Sequence, residues 1–76
     1  MNYLHSDEEM ASAYLTDVYN SLDNGIYKFS GGDVMTCESI VKGLPKGVTI
    51  LFGGEPTLAT EALRLVKNKY ETLKNA

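Results

Sequence analysis

Two short segments of the sequence combine glycines with a carboxylate, a composition that could hold a small ligand. Gly31-Gly32-Asp33 and Gly53-Gly54-Glu55 each join two adjacent glycines to one acidic residue. Backbone N–H groups at a helix start attract anions, and the two carboxylates would suit a cation, an amine or a metal that bridges to an anion. These residues form a candidate site for a nucleotide-like ligand, provided that the fold brings the two segments together.

Both carboxylates also have an ordinary structural explanation, which the sequence favours. Asp33 is suited to cap a helix that follows it, and Glu55 is suited to the positive end of the next helix. Neither segment is a phosphate-binding loop, because the sequence contains no Gly-Lys-Ser/Thr and no G-x-G-x-x-G pattern.

Cysteine and histidine are each present once, which limits metal and nucleophile chemistry. The single cysteine, Cys37, excludes an internal disulfide, and with His5 alone it cannot supply a four-ligand zinc site. Cys37 is predicted in the first turn of a helix, where the dipole could lower the pKa of its thiol, but a buried core thiol is the favoured interpretation. We predict no metal, no cofactor and no enzymatic activity, because no base, nucleophile or oxyanion pattern accompanies Asp33 and Glu55.

The elements that would position the second glycine segment follow from the spacing of apolar residues. Val48 to Phe52 is a β-rich apolar run, which predicts a strand covered on both faces. Pro56 suits the first position of a helix, and the apolar spacing extends that helix to about Leu73. Gly53-Gly54 is therefore predicted to turn the chain from strand into helix.

The first half of the chain repeats this pattern after an N-terminal helix. Ser6 and Glu9 form a capping box that starts a predicted helix over residues 7–23, which Asn24-Gly25 ends. Residues 26–29 then predict a short strand that leads into the first glycine segment.

The next segment, Val34 to Gly43, fits either a helix or a strand. We favour the helix, because Asp33 suits its N-cap and Gly43 suits its C-terminal end. The β-forming residues of the same segment favour a strand that pairs with residues 26–29 as a hairpin.

With a helical middle segment, the predicted fold is a single α/β domain over residues 1–76. Its order is α-β-α-β-α around a minimal two-stranded parallel sheet, and both glycine segments then lie at one sheet edge, where α/β folds usually bind ligands. With a strand in the middle, the alternative is an α+β fold of order α-β-β-β-α with an antiparallel sheet. Two strands alone are not stable, so the sheet needs helical cover or a second copy of the chain.

The sequence Gly53-Gly54-Glu55-Pro56 resembles the strand-end glycine motif of radical SAM enzymes, which in that family contacts the methionine part of the cofactor. The resemblance covers residues 48–65 and stops there. That family holds an iron–sulfur cluster with closely spaced cysteines, whereas Cys37 stands alone here. The resemblance therefore implies a shared strand-to-helix turn and no activity.

Charge is distributed unevenly along this acidic chain, whose net charge is −3. Residues 1–38 contain seven acidic residues and one lysine, whereas residues 39–76 contain six basic and three acidic residues. The overall acidity argues against non-specific binding to nucleic acid, and the opposite signs favour attraction between the halves or between two copies. Solvated helix faces that happen to differ in sign explain the pattern equally well.

The favoured function is a small, acidic, non-enzymatic interaction protein that self-associates as a homodimer and binds or inhibits another protein. A chain of 76 residues buries a modest core, so a second subunit is the expected source of further burial. The first helix is expected to contact the partner through Glu8, Asp17 and Tyr19. The sequence contains no signal-peptide or membrane-length apolar run, which predicts a cytoplasmic protein without membrane contact. Small acidic proteins of this type include many phage and mobile-element inhibitors.

Overall fold

The computed structural model of the protein describes residues 6–23 and 31–75. Within these residues the order is α1 (Asp7–Leu22), α2 (Gly31–Lys42), β1 (Thr49–Phe52), β2 (Glu55–Leu58) and α3 (Ala59–Lys74). The predicted mixed α/β class is confirmed. The strand predicted over residues 26–29, the glycine stop after the first helix and His5 lie outside the described residues.

The first helix begins as its sequence predicts. The Ser6 hydroxyl accepts a hydrogen bond from the Glu9 N–H at 3.1 Å, and the Glu9 carboxylate accepts one from the Ser6 N–H at 3.1 Å. This capping box satisfies N–H groups that a helix start otherwise leaves without partners. α1 ends one residue before the predicted end, and it buries one stripe of side chains: Ala11, Leu15, Val18 and Leu22.

The middle segment is helical, so the favoured interpretation is confirmed and a strand there is wrong. The helical pattern prevails because Val34, Cys37 and Val41 recur at helical spacing and are all buried. α2 begins at Gly31, before the predicted N-cap, and Asp33 therefore lies inside the first turn instead of capping it.

The predicted parallel sheet is wrong, because β1 and β2 form an antiparallel hairpin; in this respect the sheet agrees with the alternative arrangement. The register pairs Phe52 with Glu55, so Gly53 and Gly54 form the loop. Both glycines have positive φ, 62° and 87°, as a tight type I′ hairpin turn requires. Two successive left-handed residues reverse the chain, so β1 passes into a second strand and not into a helix.

Two hydroxyl groups of α1 cover the outer edge of β1. The Leu51 N–H donates to the Ser12 hydroxyl at 2.9 Å, and the Gly53 N–H donates to the Thr16 hydroxyl at 3.0 Å. Four residues of helix advance about 6 Å and two residues of strand about 6.7 Å, so the two spacings match. The hairpin is thereby fixed to α1 along an edge that would otherwise be open.

The helix predicted to start at Pro56 starts instead at Ala59. Pro56 lies in β2 opposite Leu51, whose N–H bonds to α1 and not to β2. This cross-strand pair is therefore not hydrogen-bonded, and the proline nitrogen faces the outer edge of β2, where its missing N–H costs nothing. Glu55 also lies in β2, so the strand-to-helix turn implied by the resemblance to radical SAM enzymes is wrong for this chain.

The helices and the hairpin pack around one core. On the inner face of the hairpin Ile50 is 2% exposed, whereas on its outer face Leu51 is 58% exposed. No helix within residues 6–23 and 31–75 is both long and apolar enough to span a membrane. The described core consists of Ala11, Leu15, Val18, Leu22, Val34, Cys37, Val41, Ile50, Ala59, Ala62 and Val66.

Candidate functional site

The two glycine segments have different structural roles. Gly31-Gly32-Asp33 forms the first turn of α2, whereas Gly53-Gly54 forms the hairpin loop and Glu55 begins β2. The parallel sheet edge on which a shared site was expected is absent from the described part of the chain. Ligand binding by these residues therefore stays a prediction, without the sheet edge that motivated it.

Asp33 makes a contact that favours a structural role. The Tyr14 hydroxyl donates to the Asp33 carboxylate at 3.5 Å, which links α1 to the start of α2. Burial and, next, the charge of Asp33 raise the pKa of Tyr14, so this phenol stays protonated.

Cys37 is a buried core thiol, as the favoured interpretation predicted. Its side chain is 0% exposed. Burial and, next, the charge of Asp33 raise the pKa of Cys37 to about 11. Because α2 begins at Gly31, Cys37 lies beyond the first turn, and the predicted lowering of its pKa by the helix start is wrong. No cluster of histidine, cysteine and carboxylate groups that could hold a metal is found among residues 6–23 and 31–75.

The predicted partner-binding residues do not share one face of α1. Asp17 is exposed and Glu8 is half-buried. The ring of Tyr19 packs edge-on against Phe52, with centroids 5.1 Å apart, and the Lys69 ammonium lies 4.2 Å from the Tyr19 ring centroid. Residues two apart on a helix point about 160° away from each other, so Asp17 and Tyr19 face different surroundings. Tyr19 joins α1 to the hairpin and α3, whereas Asp17 faces solvent.

A groove lies between the outward face of α1 and the exposed side chain of Leu51. We call it the α1–β1 groove, and it is lined by Glu9, Ser12, Ala13, Thr16, Asp17, Asn20 and Leu51. Among the described residues, its lining contains two carboxylates and no basic residue. The Ser12 and Thr16 hydroxyls already accept hydrogen bonds from the β1 backbone, so the walls of the groove are held in place.

A second groove, the α1–α2 groove, follows the opposite flank of α1. It is lined by Met10, Ala13, Tyr14, Asp17 and Ile40. It shares Ala13 and Asp17 with the α1–β1 groove, so the outward face of α1 is a continuous apolar strip with acidic residues on it. Met10 is 57% exposed. Sequence reasoning missed this strip, although Met10 and Ala13 are apolar and lie off the buried stripe of α1.

A third groove, the α2–α3 groove, has the opposite charge on its rim. Its apolar walls are built from the end of α2, the connection to β1 and the start of α3, and it encloses about 310 Å³. Lys42 and Lys46 are exposed beside it, and the Glu38 carboxylate on the same rim pairs with the Lys67 ammonium at 3.6 Å. The apolar residues of the lining are Val41, Leu44, Pro45, Val48, Ala59 and Leu63.

No protein family, no curated protein and no solved structure matches this chain. The three grooves are therefore characterised by their own residues: two acidic and apolar grooves on α1, and one basic and apolar groove on the far side of α2.

Proposed function

We propose that this protein is a non-enzymatic interaction protein that self-associates and binds another protein through the α1–β1 groove. The observation that carries the proposal is an exposed leucine, Leu51, beside a helix face whose described charged groups are acidic, Glu9 and Asp17. Protein interfaces commonly place apolar side chains at the centre and charged groups at the rim. The partner segment is accordingly one that offers an apolar side chain flanked by lysine or arginine.

The chemistry of the groove supports binding more than catalysis. Ser12 and Thr16 use their hydroxyls to hold the β1 backbone, so neither is placed as a nucleophile beside a base. Asp17 is exposed, and the Glu9 carboxylate caps the start of α1. Burying the exposed part of Leu51 contributes about 1–2 kcal/mol to association, and exclusion of water strengthens the attraction of Asp17 for a basic partner group.

Self-association is supported by the amount of apolar surface that the described chain leaves in water. Met10, Met35, Leu51 and Leu58 are 57%, 67%, 58% and 50% exposed. Packing of these side chains against a second copy would remove their apolar surface from water, which favours association. The cytoplasmic location and the similarity in type to phage and mobile-element inhibitors stay predictions from the sequence.

Site-specific photo-crosslinking tests the partner surface directly. A photoreactive residue replaces Asn20, which lines the α1–β1 groove, or Asn68, an exposed asparagine on α3 that serves as the matched control. We expect a partner from native lysate to be captured at position 20 and not at position 68, with a cross-linked segment that contains lysine or arginine. Equal capture at the two positions would contradict the proposed surface.

The captured partner then allows a charge test by titration calorimetry. Asp17→Lys should weaken binding by roughly tenfold or more, because it places like charges across the interface. Glu71→Lys makes the same change in net charge at an exposed position of α3 and should leave the affinity within about twofold. If both variants lose the same affinity, the effect is one of net charge and the α1–β1 groove is not the binding surface.

A further inference from the structure

The start of α1 and the end of α2 bring two surfaces of opposite charge side by side. A fourth groove there, distinct from the three described above, is lined by Asp7, Met10, Ser39, Ile40, Gly43 and Leu44. We call its surface the acidic side, after Asp7. Leu44 also lines the α2–α3 groove, with its exposed Lys42 and Lys46. Leu44 is therefore the border between an acidic and a basic apolar surface.

One surface offers an exposed apolar side chain beside an acidic residue, and the other offers an apolar cavity beside lysines. On the acidic side the Met10 side chain projects into solvent, 57% exposed, with Asp7 one helical turn before it. On the basic side the α2–α3 groove encloses about 310 Å³, which is a small cavity by the standards of ligand sites. An unbranched, flexible methionine suits such an irregular apolar cavity.

We propose that two copies of this chain pair through these surfaces, with Met10 of each copy seated in the α2–α3 groove of the other. The inference rests on the self-association proposed above and names the surface that carries it. A two-fold axis close to Leu44 turns the acidic side of one copy onto the basic side of its neighbour, and the same contact is made twice. Asp7 of each copy then faces Lys42 and Lys46 of the other.

Charge complementarity favours a second copy over a different protein as the occupant. Both halves of the interface lie on one chain and adjoin at Leu44, as a two-fold contact requires, because in such a contact the same patch serves on both subunits. Within residues 6–23 and 31–75, the only carboxylate that lines the α2–α3 groove is that of Glu38, which pairs with Lys67 at 3.6 Å. Lys42 and Lys46 therefore present the dominant charge to an incoming helix.

The test uses sedimentation equilibrium on two variants, each of which breaks one side of the contact. Met10→Lys places a positive charge opposite Lys42 and Lys46, and the double variant Lys42→Glu/Lys46→Glu places negative charges opposite Asp7. Each alone should weaken the dimer by roughly tenfold or more. An equimolar mixture of the two should recover a 1:1 heterodimer, because the changed charges of one variant face those of the other. Circular dichroism confirms that each variant is folded.

The matched control is Met35→Lys, which makes the same substitution on α2 at a methionine that is 67% exposed and lines neither groove. It should dimerise like the unchanged chain. A monomeric unchanged chain would overturn self-association altogether. A dimer that Met10→Lys leaves intact, or a mixture of the two variants that stays monomeric, would overturn this interface alone. If Lys42→Glu/Lys46→Glu still dimerises while Met10→Lys does not, the proposed interface is wrong, and the dimer forms by contact between two α1 helices.

Discussion

The two glycine pairs of this chain are flanked by similar residues and form different structures. Gly31-Gly32-Asp33 forms the first turn of α2, whereas Gly53-Gly54 forms a hairpin loop and Glu55 begins a second strand. A pair of glycines permits a sharp turn but does not determine whether a helix or a strand follows it. The residues that follow each pair determine the structure. Apolar residues at helical spacing follow Asp33, whereas the three residues after Glu55 pair with β1.

The largest effect should come from the second pair, where both glycines have positive φ. Gly53→Ala/Gly54→Ala should lower the free energy of unfolding by about 2–4 kcal/mol, because a left-handed residue with a Cβ costs about 1–2 kcal/mol. The cost is conformational and not steric, since a Cβ at either glycine meets no atom within 4 Å. Urea denaturation monitored by circular dichroism measures it.

Gly53→Asn is the control for that change, because asparagine tolerates the left-handed conformation and Asn-Gly is a preferred type I′ loop. It should leave stability within about 0.5 kcal/mol of the unchanged chain. If alanine and asparagine were equally well tolerated, the loop would not depend on positive φ.

The next largest effect concerns what holds the hairpin that the second pair forms. Ser12→Ala/Thr16→Val removes the hydroxyls that accept from the Leu51 and Gly53 N–H groups, and it should cost about 1–3 kcal/mol. Hydrogen exchange of these two amides should accelerate more than exchange in α2. Unchanged protection at both amides would mean that α1 does not fix the edge of β1.

A smaller, pH-dependent effect concerns the buried thiol of Cys37, on the helix that the first pair begins. Because the pKa of Cys37 is raised to about 11, the folded chain keeps its proton while the unfolded chain, with an ordinary thiol, loses it near pH 9. The contribution of this thiol to the free energy of unfolding is complete well below pH 9 and declines as pH rises toward 11. The expected decline is about 1 kcal/mol between pH 8 and pH 10. The pKa of Tyr14 is also raised, so Cys37→Ala isolates the thiol: the decline should become shallower in that variant. An identical slope would show that the thiol is not the cause.

The smallest effect should be a gain at the first pair. Gly32 lies in a helix, so Gly32→Ala should stabilise the chain by about 0.5–1 kcal/mol, the reverse of alanine at Gly54. The same denaturation experiment measures both. Destabilisation at Gly32 would mean that the two pairs are conformationally alike after all.

Local signals in the sequence predicted the helices well and the topology poorly. The capping box of Ser6 and Glu9 sets the start of α1, and the buried stripe of Val34, Cys37 and Val41 identifies α2, because both patterns act within a few residues. The sequence does not predict the hairpin, because Glu55 and Pro56 are poor strand formers and Pro56 suits a helix start. Its place at a strand edge depends on pairing across the loop.

The candidate surfaces depended even more on tertiary contacts. The acidity of the first helix was visible in the sequence, but the sequence does not show that Tyr19 packs against Phe52 or that Leu51 emerges beside Ala13. Whether an apolar residue lies in the core or in a groove is decided by elements distant in sequence. The separation of Asp17 from Tyr19 could have been derived from helical geometry alone.

The proline in β2 bears on how this chain behaves when crowded. An amyloid fibril grows when a new strand pairs with the open edge of a sheet. Here one margin is capped by Ser12 and Thr16, and the other presents a proline ring at Pro56. Neither edge of the folded hairpin therefore favours pairing with a strand of another copy. Contacts between copies would be made by side chains and would be reversible.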